Sequence, residues 1–194
     1  MSHAITVSSR SLQILSATAV LAGCASTAVT VQPSPQAPVC NAASSALVLW
    51  APHWRPDQKD VAAREEAAST GLDNFLAQSG CFASVELRRV PSLEASAVIA
   101  RLKHAEAFRP KVVGIEVREL GPVVKLLSSA ALVEGGTEVV LRVTEYSPDS
   151  AAVLREFTVH WQNGGTGVVK GVASLPADMQ ATLSAALQPS SAAR

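Results

Sequence analysis

Apolar residues follow the spacing of strands and helices in turn along most of the chain. Residues 46–50 form a short continuous apolar run that ends before Pro52, which predicts a buried strand. Alternation with a period of two predicts further strands at residues 81–90, 111–119, 137–146 and 152–162. Helical spacing predicts helices over residues 57–79, 91–108 and 174–188, the first with Arg64 on its solvent side.

The order of these elements predicts the fold class. A strand–helix–strand–helix–strand opening, a hairpin and a closing helix are typical of helices packed on a sheet. We therefore expect one α/β (α+β) domain over residues 40–189, with a mixed sheet of about five strands and three helices packed on it. Residues 25–38 are small residues and prolines without periodicity, which predicts a flexible tether over 24–39. Residues 190–194 are expected to form a disordered tail.

One apolar segment interrupts the pattern in the second half of the chain. Residues 123–134 lie between Gly121-Pro122 and Gly135-Gly136 and are almost uncharged. As a strand pair or a helix they complete the core, or they form an exposed apolar patch for a neighbouring subunit or a membrane surface. The candidate contact residues in this segment are Val123, Val124, Leu126 and Leu127.

The N-terminal stretch predicts where the protein is held. Residues 11–24 are apolar, follow Arg10 and end in Leu21-Ala22-Gly23-Cys24; the run is shorter than the roughly 20 residues of a membrane span. This ending resembles the lipobox of bacterial lipoproteins. The resemblance implies a signal peptide over residues 1–23 and a diacylglyceryl or palmitate anchor on Cys24. Ala25, where an inner-membrane retention signal would have Asp, favours the periplasmic side of the outer membrane. The alternative is a buried core helix of a cytosolic protein.

Export would also account for the three cysteines. If Cys24 carries lipid, Cys40 and Cys81 remain as a pair in an oxidising compartment, where we expect a disulfide. Two buried free thiols are the alternative.

Charge and motifs exclude several function classes. The net charge is zero and the chain has no basic block, so nucleic acid is not an expected partner. The chain contains no H-E-x-x-H, no G-x-S-x-G elbow and no phosphate-binding loop. Two widely spaced cysteines fall short of a zinc site. We therefore expect a protein that is not an enzyme and that has no catalytic residues, no cofactor and no metal.

Aromatic and basic residues cluster at the end of the first predicted strand. Trp50, His53, Trp54 and Arg55 surround Pro52. Core packing accounts for the two tryptophans, or this loop is an interaction anchor, because tryptophan and arginine are enriched at binding hot spots.

The element order behind a lipobox resembles the envelope lipoproteins that have a TolB-N-terminal-like domain. Residues 138–157, a strand, a Ser-Pro-Asp-Ser turn and a second strand, carry the local likeness. That group includes the curli secretion channel lipoprotein, the Pel polysaccharide export lipoprotein and the lipoprotein activators of penicillin-binding proteins. The resemblance implies a non-enzymatic accessory or scaffold subunit of a secretion, polysaccharide export or peptidoglycan assembly, with other envelope subunits as partners. The alternatives are a homo-oligomeric export-channel component and, third, an envelope hydrolase.

Overall fold

The computed structural model describes residues 25–34, 36–103, 109–127 and 132–188. Within these residues six strands form one mixed sheet, together with three α-helices and a short 3₁₀ turn at Val172–Ser174. In chain order the elements are β1 (Ser26–Gln32), β2 (Asn41–Pro52), α1 (Val61–Gln78), β3 (Phe82–Arg89), α2 (Ala95–Lys103), β4 (Lys111–Leu127), β5 (Leu132–Tyr146), β6 (Val153–Thr166) and α3 (Leu175–Leu187). The strands lie in the order β1-β6-β5-β4-β2-β3, which confirms the predicted α/β class with one strand more than expected.

Strand β2 is buried on both faces, which explains its unbroken apolar run. It pairs in parallel with β3 and β4. Val48 and Trp50 pack on the side of α1 and α3, while Leu47 and Leu49 pack on the side of α2. Parallel strands covered by helices on both faces typically lack polar alternation.

Helices α1 and α3 lie side by side on the first face of the sheet. Their closest approach is at Gly71, where a Cβ atom would stand 2.6 Å from the Cβ atom of Met179. Glycine is therefore required at the crossing. On the opposite face, α2 covers β2 and the adjoining ends of β4 and β5 at Val112 and Tyr146. The rest of that face carries polar side chains such as Glu116, Arg142 and His160.

The predicted tether is wrong over residues 26–32. These residues form β1, an edge strand that pairs antiparallel with β6, from Ser26 opposite Gly164 to Gln32 opposite Thr158. Nearly all of its side chains are exposed, so backbone hydrogen bonds to β6 hold the strand in the sheet. For the same reason its sequence shows no alternation of buried and exposed positions. The strand is thus the sixth member of the sheet.

Within the segment predicted as a strand pair or a helix, residues 123–127 and 132–134 belong to two long paired strands, which we call the hairpin, and not to a helix. Strands β4 and β5 pair from Val112 opposite Tyr146 to Leu127 opposite Leu132. Strand β2 ends much earlier, at Pro52 opposite Val117. The hairpin therefore extends well past the carboxyl end of β2.

The cysteine pairing is confirmed. Cys40 and Cys81 form a disulfide with a Cα–Cα distance of 4.6 Å, joining the start of β2 to the start of β3. The backbone N–H groups of Val39 and Cys40 donate to the carbonyl of Leu187, so the end of α3 is fastened at the same point.

Some predictions lie outside the described residues: the signal peptide, Cys24 and the tail at 190–194. Among the residues that the structure describes, no helix is both long and apolar enough to cross a membrane.

Candidate functional site

The loop between β2 and α1 holds most of the predicted contact residues. The backbone N–H of His53 donates to the carbonyl of Val117 at 2.8 Å, so the chain follows β4 for one residue beyond Pro52. His53 and Arg55 are exposed and Trp54 is half-buried. The loop lies at the carboxyl end of the parallel strands, the edge at which open α/β sheets commonly bind ligands.

The two tryptophans have different environments. Trp50 is only 3 % exposed and belongs to the core, as in the core-packing alternative, with the guanidinium of Arg89 5.7 Å from its ring centre. Trp54 packs against the edge of that core, and its indole N–H donates to Oε1 of Glu65 at 3.3 Å. Oε2 of Glu65 accepts from Arg89 at 2.7 Å. The Trp54 ring is therefore held in one orientation by Glu65.

Arg64 was predicted to face solvent, and that prediction is wrong: its side chain is 10 % exposed. Its Nη1 donates to Oε1 of Glu119 at 3.0 Å and to the carbonyl of Leu120, and its Nε donates to the carbonyl of Lys59 at 2.8 Å. The pairing of β4 with β5 shifts by one residue just before Glu119. Arg64 thus fastens the first turn of α1 to this irregular point of β4.

Gly121 makes room for the guanidinium of Arg64. A Cβ atom at this position would stand 1.8 Å from Nη1. In the sequence, the signal of this contact is a glycine that interrupts a strand-like run, together with an arginine in the first turn of the first helix. It is weak, because it joins residues more than fifty positions apart.

The predicted hairpin contacts lie beside this loop. Arg55 reaches Oε2 of Glu119 at 3.4 Å, at the base of the hairpin that carries the apolar segment. Val123 is half-buried, whereas Val124 is 67 % exposed. The backbones of Leu126 and Leu127 pair with Val133 and Leu132 near the tip. The structure therefore places both predicted contact regions along one strand, with the loop at the base and the apolar residues beyond it.

A shallow groove runs across the sheet beside Val123. Four glycines and the small residues Ser26 and Ala28 line most of it, together with Val123, Thr137, Gln162 and Asn163. A Cβ atom at Gly136 would stand 2.5 Å from the carbonyl oxygen of Asn163, so the strands need glycine there.

Ion pairs occupy the polar face of the sheet. Glu116 is 5 % exposed and accepts from Arg118 at 2.9 Å and from Arg142. Glu138 contacts the imidazole of His160 and the amide of Gln162. The charge of Glu116 is therefore balanced by one arginine on its own strand and one on β5. Among the described residues there is no group of three or more His, Cys, Asp or Glu side chains that could hold a metal ion.

Burial changes the titration of one group away from the loop. Desolvation raises the pKa of Tyr146, whose hydroxyl donates to the carbonyl of Leu93 at 3.1 Å. The ring packs under α2 with Val98, so this tyrosine is structural.

The chain matches no protein-family model and no curated protein. It is similar to solved structures at low identity. The PelC dodecamer from Paraburkholderia phytofirmans is 16 % identical, with a TM-score of 0.43 over 84 % of this chain and 98 % of that one. Lipoprotein GNA1162 from Neisseria meningitidis is 15 % identical, with a TM-score of 0.40 over 76 % and 99 %. A homologue of the neuraminyllactose-binding hemagglutinin from Helicobacter pylori is 13 % identical, with a TM-score of 0.39 over 77 % and 84 %. The proposals below rest on this chain's own residues.

Proposed function

We propose that this chain is a lipid-anchored lipoprotein of the bacterial envelope, facing the periplasm from the outer membrane, and that it is a non-enzymatic accessory or scaffold subunit of an envelope assembly. The observation that carries the proposal is the use of the cysteines. The chain has three, and the disulfide takes Cys40 and Cys81, which leaves Cys24 at the end of the lipobox-like stretch. A disulfide is typical of an exported domain, because the cytosol keeps thiols reduced.

The anchor supplies stable attachment by itself. One acyl chain binds a membrane only marginally, whereas two signals hold a protein there. A diacylglyceryl group on Cys24 provides two chains on one residue. The domain then needs no membrane-spanning helix to stay at the surface.

The loop after β2 is the surface we assign to a protein partner. Arg55 projects with a side chain that is 66 % exposed, beside a Trp54 ring held by Glu65. Beneath them the buried Arg64–Glu119 pair fixes the start of α1. Binding loses less conformational entropy when the contact residues already stand in place. Tryptophan and arginine are also the residues most enriched at hot spots.

The anchor is tested by replacing Cys24. We expect Cys24→Ala to abolish labelling by a fatty-acid probe and to release the chain from the membrane fraction. The double variant Cys40→Ser with Cys81→Ser is the control, because it should keep the label. Unchanged labelling and fractionation of Cys24→Ala would refute the anchor.

The partner surface is tested by crosslinking in native envelopes. We expect Trp54→Ala with Arg55→Ala to weaken capture of an envelope partner by roughly tenfold or more, the effect of losing a hot spot. Arg101→Ala is the matched control, since Arg101 is exposed on α2. If wild-type chain captures no envelope protein, or if the control weakens capture as much, the assignment of this loop is wrong.

A second candidate is the homo-oligomeric export-channel component. The observation in its favour is the outer edge of β3, the last strand of the sheet, beside a shallow groove lined by Leu76, Phe82 and Val85. An unpaired edge is a template for another strand. Light scattering of the detergent-solubilised chain measures its oligomeric state. A monomer would refute the homo-oligomeric channel component.

A further inference from the structure

The register of the sheet brings the lipid attachment point and the hairpin tip to the same end of the molecule. Ser26 lies opposite Gly164, Gly164 opposite Gly136, and Gly136 opposite Val123. These residues form one row across β1, β6, β5 and β4. Beyond the row the chain leads back from the start of β1 towards Cys24 in the sequence, and forward along β4 towards Leu126.

The rise per residue of a strand gives the length of each extension, from Ser26 to Cys24 and from Val123 to Leu127. Cys24 is two residues from Ser26, so its backbone lies at most about 7 Å past the row. Leu126 and Leu127 are three and four residues past Val123, which places them about 10–13 Å beyond it. The tip of the hairpin therefore reaches a few ångströms further than the residue that carries the lipid.

Two exposed valines lie at this end of the sheet, beside the exposed Thr166. Val124 is 67 % exposed and Val169 is 91 % exposed. Val169 lies in the loop after β6, and the neighbouring Val168 has its backbone against Gly135 of the hairpin. By sequence, the paired positions nearest the tip are Leu126 opposite Val133 and Leu127 opposite Leu132.

We propose that this end, which we call the anchor end (residues 123–127, 132–136 and 167–169), rests in the interface of the same bilayer that holds the lipid. The inference depends on lipidation of Cys24, the proposed function above. A diacylglyceryl group must lie among acyl chains, so Cys24 marks the level of the membrane surface, and the tip extends past that level. The exposed valines of this end then meet lipid instead of water, at a depth within the roughly 5–10 Å of interfacial elements.

Depth is limited by the backbone of the hairpin. The backbone groups between its two strands are hydrogen-bonded to each other. The N–H and C=O groups on the outer edges near the end of the hairpin still need water or lipid headgroups as partners. Lys125 and Glu134, which are opposite each other in the register, come one step before the leucines. At the interface, water and headgroups can bind both the outer-edge backbone groups and these two charged residues. Deeper in the bilayer they would have no such partners.

The consequence is a fixed orientation of the partner loop. Arg55 of the loop contacts Glu119, four residues along β4 from Val123, so it stands about 13 Å from the row and up to about 20 Å from the level of Cys24. Two separated contacts, the lipid on Cys24 two residues before β1 and the end of β4, resist rotation of the domain. A single lipid on a flexible tether would not.

The test measures contact of the anchor end with acyl chains in the full lipidated protein. Leu126→Cys is labelled with a polarity-sensitive fluorophore and reconstituted in vesicles of phosphatidylethanolamine and phosphatidylglycerol. The control label is at Asp149→Cys, an exposed turn residue at the opposite end of the sheet. We expect brominated acyl chains to quench the label at position 126, as for an interfacial group, and to leave the label at 149 unchanged.

The outcomes separate this inference from the anchor itself. Equal quenching at both positions, in protein whose Cys24 carries the lipid probe, overturns the inference and leaves the anchor intact. A blue-shifted label at 126 without quenching by brominated lipid shows a protein covering this end, which also overturns it. Absence of the lipid probe from Cys24 refutes the proposed function. As a second variant, Leu126→Asp with Leu127→Asp should abolish the quenching of a label at Val169→Cys while Cys24 keeps its lipid.

Discussion

The buried pair of Arg64 and Glu119 yields the sharpest stability prediction. In Arg64→Ala the carboxylate of Glu119, 16 % exposed, loses the Nη1 donor that stands 3.0 Å away. The carbonyls of Leu120 and Lys59 lose their donors as well. Arg55 stays 3.4 Å from the other oxygen of Glu119, so the charge keeps one partner, and we take the cost of leaving buried acceptors without their donor, about 1–3 kcal/mol. For a chain of this size each kcal/mol lowers the melting temperature by about 2–4 °C, so the expected loss is roughly 2–12 °C.

Thermal and urea denaturation followed by circular dichroism measure this loss. The matched control is Arg88→Ala: Arg88 pairs with Glu86 at the same 3.0 Å distance but is 53 % exposed, so we expect a change of about 1 kcal/mol or less. The double variant Arg64→Ala with Glu119→Ala should be more stable than Arg64→Ala alone, since no carboxylate is left without the Arg64 donor. The reasoning fails if Arg64→Ala and Arg88→Ala are equally stable.

The remaining predictions concern the disulfide, the tyrosine and one glycine. Replacing Cys40 and Cys81 by Ser should lower the free energy of unfolding by about 4 kcal/mol in oxidising buffer, from the entropy of the closed loop; equal melting temperatures for this variant and wild type would contradict it. Tyr146 is the only tyrosine, so ultraviolet absorbance follows its ionisation alone. Because burial raises its folded pKa, the stability it contributes is complete below about pH 10 and is lost as the pH rises through the folded pKa; a midpoint at the ordinary value would contradict the burial. Gly121→Ala should displace Arg64 and lower the melting temperature, whereas Gly171→Ala, whose Cβ meets nothing within 4 Å, should not; equal melting curves would remove the steric argument.

The parts of the fold that local pattern determines were predictable. Residues 46–50 are apolar without alternation because β2 is covered on both faces, and that covering requires the helices found on each side. The disulfide followed from a count of cysteines and an inferred compartment. The first inference uses only neighbouring residues, and the second uses only the three cysteines. Neither requires knowledge of which strands pair with each other.

The parts that depend on distant partners were not predictable. Strand β1 has no buried face, and only its register with β6 makes it a strand. The burial of Arg64 depends on a register shift near Glu119 in β4, which the helical pattern around Arg64 does not reveal. The loop with Trp54 and Arg55 was located from composition, but its rigid base was not.

The change from tether to strand also alters how the domain can meet a partner. Fourteen extended residues, 25–38, would let the domain move as far as about 50 Å from the membrane. With β1 beginning at Ser26, only Ala25 separates the sheet from Cys24. With the proposed lipid on Cys24, the domain would be held against the membrane and the proposed partner loop would stand at one height, up to about 20 Å from the surface. A partner that binds Trp54 and Arg55 must reach that height, which favours another protein of the same membrane or one bound at its surface over a protein diffusing through the periplasm.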